Sequence, residues 1–140
     1  MRKRVVVGFD GSDESRTAIS WTIEEAAIRK TDLRIVAAVQ GTPPAELWGV
    51  PTPARVTEQD LDRARQRAEE VLAELVPERP ERTDVAAVHG HPGAVLIQES
   101  WDADLVVVGA TGLGGFLKTI LGSVSAAVVA NAHCPVMIVH

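Results

Sequence analysis

The chain has 140 residues, 46% of them apolar, and its fourteen basic and nineteen acidic side chains give a net charge of −5. That length favours one domain, residues 1–140, with a sizeable core, and that composition excludes a disordered chain. The mild acidity gives no electrostatic reason to expect nucleic acid or an anionic membrane as the main partner, and a single cysteine, Cys134, excludes a disulfide within the chain.

The start is basic and then apolar, but Gly8 and Asp10 break the run too early for a signal-peptide core. No apolar stretch approaches transmembrane length. With the lone thiol, this predicts a cytoplasmic protein.

Val5-Val6-Val7-Gly8-Phe9 shows no alternation of apolar and polar residues, as expected of a strand covered on both faces of a parallel sheet. It ends in the turn signal Asp10-Gly11, and Ser12 or Asp13 is placed to cap a helix from about Glu14 to Lys30. Ala18, Ile19, Ile23, Ala26 and Ala27 form that helix's apolar face, with Trp21 at its edge. Leu33 to Val39 is the second strand. From Gln40 to Arg55 four prolines and two glycines predict a loop, one that holds Trp48. Thr57 and Asp60 form a loose capping box for the clearest helix, whose apolar side runs through Leu61, Ala64, Ala68, Val71, Leu72 and Leu75 until Pro77 stops it.

Val85 to Val88 is a short third strand. His89-Gly90-His91-Pro92-Gly93 turns into a helix, with proline in its first turn. Val106-Val107-Val108 marks the fourth strand, and Gly109-Ala110-Thr111-Gly112 leads into a glycine-bearing loop. Gly122-Ser123 then opens a last helix before Val136-Met137-Ile138-Val139, the fifth strand. Strands alternating with helices predict a doubly wound parallel α/β sheet, in which ligands sit at the carboxyl ends of the strands where the strand order reverses. If the first and fourth strands are neighbours there, Asp10 and the glycine loop share one crevice.

The loop fits neither common phosphate pattern. Both require a glycine where Leu117 stands. Its spacing is Gly109-x-x-Gly112, nine residues, then Gly122-Ser123. Backbone N–H groups at such a loop and helix start can hold an anion, phosphate being the first guess, although a plain tight turn reads the same way.

Taken together, Val6-Val7-Gly8-Phe9-Asp10-Gly11-Ser12, Gly90-His91-Pro92, the glycine loop, and Gly122-Ser123-Val124-Ser125 running on to Cys134-Pro135-Val136 resemble the universal stress protein family in its ATP-binding form. The resemblance implies a flavodoxin-like or Rossmann-like fold of the adenine nucleotide alpha hydrolase type, strand order 3-2-1-4-5. It also implies ATP, with Mg2+, at the reversal point. Asp10 would then lie against the ribose, the phosphates or the Mg2+, with Gly8 and Phe9 offering backbone nearby. Val39 would line the adenine pocket, and Val108 and Gly109 would pass close to the sugar. Gly112, Gly122, Ser123, Val124 and Ser125 would hold the phosphates. The resemblance further implies a homodimer through the last strand, Val136 to Val139, which as an exposed apolar edge needs cover in any case. Ala110-Thr111 departs from the family, which often has serine followed by arginine or histidine. Lys118 is a candidate replacement for that charge.

Other chemistry has little support. His89 and His91 fall short of a metal site, Cys134 reads as a small apolar residue, and no Ser-His-Asp set stands out. Phosphate holders are present, but apart from Asp10 no base to orient a water is evident. The expectation is therefore a nucleotide-dependent stress-response protein. A slow ATP hydrolase and a nucleotide-free dimeric scaffold remain as alternatives.

Overall fold

A computed structural model describes residues 3–41, 55–111 and 121–140. Trp48 in the proline-bearing loop, and Gly112 and Lys118 in the glycine loop, lie outside the described residues. The elements run β1 (Arg4–Gly8), α1 (Asp13–Arg29), β2 (Asp32–Val39), α2 (Glu58–Leu75), β3 (Thr83–His89), α3 (Pro92–Glu99), β4 (Leu105–Gly109), α4 (Ser123–Asn131) and β5 (Val136–Val139), with a short 3-10 turn at Ser100–Asp102. All strand pairs are parallel, and the order is β3-β2-β1-β4-β5. Val5 stands opposite Leu33 on one side and Leu105 on the other, so β1 is central.

The unbroken valine runs have the cause anticipated for them. Val5, Val7 and Val107 face a layer containing Ala18 and Ile19 of α1 and Val71 and Leu72 of α2. Val6, Val106 and Val108 face a second layer with Val95 and Leu96 of α3 and Val128 of α4. Successive strand residues point to opposite faces, so a sheet with helices on both sides needs apolar residues at every position.

Each helix start is set locally. The Ser12 hydroxyl accepts the Ser15 N–H at 3.1 Å, and Asp13 and Glu14 put negative charge on the positive end of α1. At α2 the Thr57 hydroxyl accepts from the Asp60 N–H, and the Asp60 carboxylate accepts from the Thr57 N–H at 2.9 Å, which completes the capping box. His91 caps α3, its Nδ1 accepting the Gly93 N–H at 3.1 Å.

The inward face of α1 differs from the expected one. Ala27 is exposed, and Thr22 is fully buried because its hydroxyl donates to the Ala18 carbonyl. A threonine that bonds one turn back carries no unpaired polar atom into the core. At the opposite end of the sheet from the reversal crevice, Arg34 of β2 grips Glu99 of α3 with two bonds, Nε to Oε2 at 2.8 Å and Nη2 to Oε1 at 3.0 Å, and also pairs with Asp84. Trp101 stacks on His133, their ring centroids 3.5 Å apart. Among the described residues no helix is long and apolar enough to cross a membrane.

Candidate functional site

The strand order reverses between β1 and β4, and a cleft of about 210 Å³ opens at their carboxyl ends. Gly8, Phe9 and Asp10 reach it from the end of β1, and Val108 and Gly109 from the end of β4. Gly122, Ser123, Val124 and Ser125 bring the start of α4 to it. Val36 and Ala38 of β2, with Pro92 and Leu96 of α3, supply an apolar wall. The volume is below the ~300–1,000 Å³ typical of sites that enclose a drug-sized ligand.

Asp10 and the described ends of the glycine loop, Gly109, Thr111 and Gly122, line one crevice. Of the site residues anticipated from sequence, Val39 is not among those lining it, and Gly112 lies outside the described residues. Strand alternation sets where Val39 stands relative to the cleft. Val36 and Ala38 point to the face of α3, and Val39 to the other. Its carbonyl is also engaged, accepting the Gly90 N–H at 3.0 Å.

Close approach explains three of the glycines. A β-carbon at Gly8 would sit 2.9 Å from Leu96 Cδ1, and one at Gly109 would sit 3.1 Å from Glu14 Cβ, where α1 starts against the end of β4. At Gly122 it would meet the Thr111 carbonyl oxygen at 2.9 Å. The loop's two ends are tied directly, the Gly122 N–H donating to the Ala110 carbonyl at 2.7 Å. The Ser125 hydroxyl donates to the same carbonyl at 2.6 Å, so this buried serine clasps the loop as well as lining the cleft.

The start of α4 differs from the other three. Ser12, Thr57 and His91 cap α1, α2 and α3, whereas α4 begins at Gly122 with no side-chain cap. The first N–H groups of a helix have no partner within it, and the helix dipole adds positive potential there. Ser123, the first helical residue, is exposed at the cleft.

Negative charge stands nearby. Asp10 is the one ionisable side chain among the described lining residues, and its Oδ1 accepts the Ser12 N–H at 2.9 Å across Gly11, whose φ of +86° suits glycine. Glu14, which sequence reading gave no role, holds Thr111. One carboxylate oxygen accepts both the Thr111 N–H at 2.8 Å and its hydroxyl at 2.9 Å. No local signal announces this pair, whose members are 97 residues apart.

Cys134 lies away from the cleft, packed against the α3 and α4 layer. Burial pushes its thiol pKa up, and the Asp104 carboxylate adds to this against a lowering backbone hydrogen bond at Val106. A nucleophilic thiol needs the opposite shift.

The model of the universal stress protein family matches residues 1–140. The chain belongs to the universal stress protein family. Over 142 residues it is 35% identical to a universal stress protein of Mycobacterium tuberculosis, an alignment that covers 97% of this chain and 47% of the relative. The chain thus spans about half the length of the mycobacterial relatives it matches. Among solved structures, the universal stress protein UspA of Lactobacillus plantarum superposes with a TM-score of 0.77 at 22% identity, over 99% of this chain and 98% of that one. It shares the fold. A universal stress protein solved in complex with cAMP is 30% identical, with a TM-score of 0.62, over 99% of this chain and 97% of its own.

Proposed function

We propose that this chain binds an adenine nucleotide in the cleft between β1 and β4, and that occupancy regulates a stress-response function. The observation that carries this reading is the pairing of an uncapped α4 start with an apolar wall across one crevice. The first suits a phosphate and the second a purine ring. Gly109 and Gly122 bear on the reading through packing: a β-carbon at either would press on Glu14 or Thr111, so glycine there holds the chain at the cleft rim in its close-packed course. The cAMP complex of a relative at 30% identity supports the choice of adenine.

ATP is the proposed ligand, with Mg2+ bound to its phosphates beside Asp10. Gly8, Phe9, Asp10, Val108 and Gly109 would hold the nucleoside side, and Gly122, Ser123, Val124 and Ser125 the phosphates. Asp10 already anchors the turn into α1, which favours a binding role over that of a base.

The second element is a homodimer through β5. Among the described residues this strand pairs with β4 along one edge only, and its Val136, Met137, Ile138 and Val139 are each only partly buried. An apolar edge strand is a hazard that pairing with a second copy would remove in a closed, two-fold way. Sedimentation equilibrium tests it. A mass twice that of the chain is expected, reduced to a monomer by Ile138→Pro, which removes a hydrogen-bond donor from the free edge, the carbonyls of Pro135 and Val139 on either side of it in register being turned toward β4.

Calorimetric titration of nucleotide-stripped protein with MgATP, MgADP, AMP and cyclic AMP tests the ligand. Saturable binding of MgATP supports the reading. Binding of none of the four overturns it and leaves a scaffold.

A further inference from the structure

Resting on the nucleotide reading above, we infer that Ser125 is a positioning residue of the cleft, whose hydroxyl sets the start of α4 against the end of β4 so that the helix amides are aimed before a phosphate arrives. The hydroxyl carries one proton, and its oxygen lies 2.6 Å from the Ala110 carbonyl oxygen and 3.1 Å from that of Gly122. Two oxygens that close need a proton between them, and a carbonyl has none to give, so the proton goes to Ala110. The Ala110 carbonyl also accepts the Gly122 N–H at 2.7 Å, which fills both of its lone pairs. Ala110 is itself buried, and its N–H donates to the Val139 carbonyl at 2.9 Å. It is thus fixed to the end of β5 through its N–H and receives the start of α4 through its carbonyl.

Ser125 divides its two donors between these tasks. It is the third residue of α4, and the N–H groups of a helix's first turn have no partner within the helix. Its amide therefore belongs with those of Ser123 and Val124 to the set that can face an anion. An ionised phosphate only accepts hydrogen bonds, and the Ser125 hydroxyl has no second proton to offer it. The hydroxyl serves a phosphate through Ala110 and Gly122, by holding the uncapped first turn at a fixed distance from the end of β4, where the nucleoside is proposed to sit. Donors already in place need no ordering when the ligand binds, and preorganisation of this kind raises affinity.

Ser125→Ala removes the hydroxyl and leaves the amide. Wild type and S125A are compared by calorimetric titration with AMP and with adenosine, and by hydrogen exchange of the Gly122 amide in the ligand-free proteins. AMP is expected to lose about five- to tenfold in affinity, the worth of one hydrogen bond, while the affinity for adenosine changes by less than about twofold. Gly122 exchange is expected to quicken relative to that of the β1 amides before any ligand is added, because its bond to Ala110 has lost its companion. Weaker AMP binding with Gly122 exchange unchanged makes the hydroxyl a direct phosphate contact and overturns the inference. An equal change for AMP and adenosine, or no change for either, makes Ser125 part of the packing alone and overturns it as well. Binding of neither ligand to the wild type overturns the cleft reading, and this inference with it. If S125A does not fold, Ser125→Cys decides. A thiol fills nearly the same space but donates weakly, and the same split between AMP and adenosine is expected in smaller measure.

Discussion

Gly122 stands directly against the backbone of Thr111, so close that a β-carbon on residue 122 would lie 2.9 Å from the Thr111 carbonyl oxygen and 3.2 Å from its α-carbon. The two residues close the base of the glycine loop, where the Gly122 N–H also meets the Ala110 carbonyl. Backbone conformation does not require glycine here, since φ is −66°. Space does.

Gly122→Ala is therefore expected to act on both fold and site. The Thr111 peptide must move, and overpacking of this kind costs roughly 1–3 kcal/mol. Thermal melting should show a lowered Tm, and titration with MgATP a weakened affinity. A variant with unchanged Tm and unchanged affinity would mean that the loop gives way freely and is not the phosphate cradle.

At the opposite end of the sheet, Arg34 ties β2 to α3 through its two-pronged grip on Glu99, both side chains being less than one-fifth exposed. Hydrogen bonding to Glu99, more than the loss of solvent, sets the balance, and it holds the guanidinium pKa above its ordinary value. Arg34→Ala leaves Glu99 without this partner and should destabilise the chain by about 1–3 kcal/mol. Adding Glu99→Met should restore part of the loss. Denaturant unfolding of the wild type, the two single variants and the double variant measures this. Strictly additive effects would show that the pair is not coupled.

The capping box of α2 predicts a pH dependence. Hydrogen bonds from the Thr57 backbone, and then from its hydroxyl, hold the Asp60 pKa below its ordinary value. A carboxylate whose pKa is depressed by folding contributes stability that is present above its unfolded pKa of about 3.9 and is lost as pH falls through the folded value. Asp60→Asn does not titrate. The Tm gap between wild type and D60N should be open at pH 7 and close at acid pH. A gap independent of pH would show that the ionised form is not what the cap uses.

Much of this architecture is legible in sequence because its causes are local. The valine runs of β1 and β4 announce a sheet covered on both faces, and the Thr57-Asp60 and Ser12 caps are read from neighbouring residues. The chain's likeness to its family supplied the strand order, which no local signal contains. What escaped are pairings across the fold. Glu14 meets Thr111, and Arg34 meets Glu99 over 65 residues, in each case between side chains that alone look like a solvated helix face or a strand edge. At the end of β2 the strand's end is visible in sequence, but which of the adjacent Ala38 and Val39 side chains faces the cleft depends on which layer of helices covers it.

The central claim, a nucleotide seated between β1 and β4, is tested most directly by mapping amide NMR shifts while the labelled protein is titrated with AMP. The account predicts the largest changes at Gly8, Asp10, Gly109, Ser123 and Val124, saturating together with one affinity. Absence of shifts at these amides, or saturable shifts confined to the Trp101 and His133 end of the sheet, would contradict it.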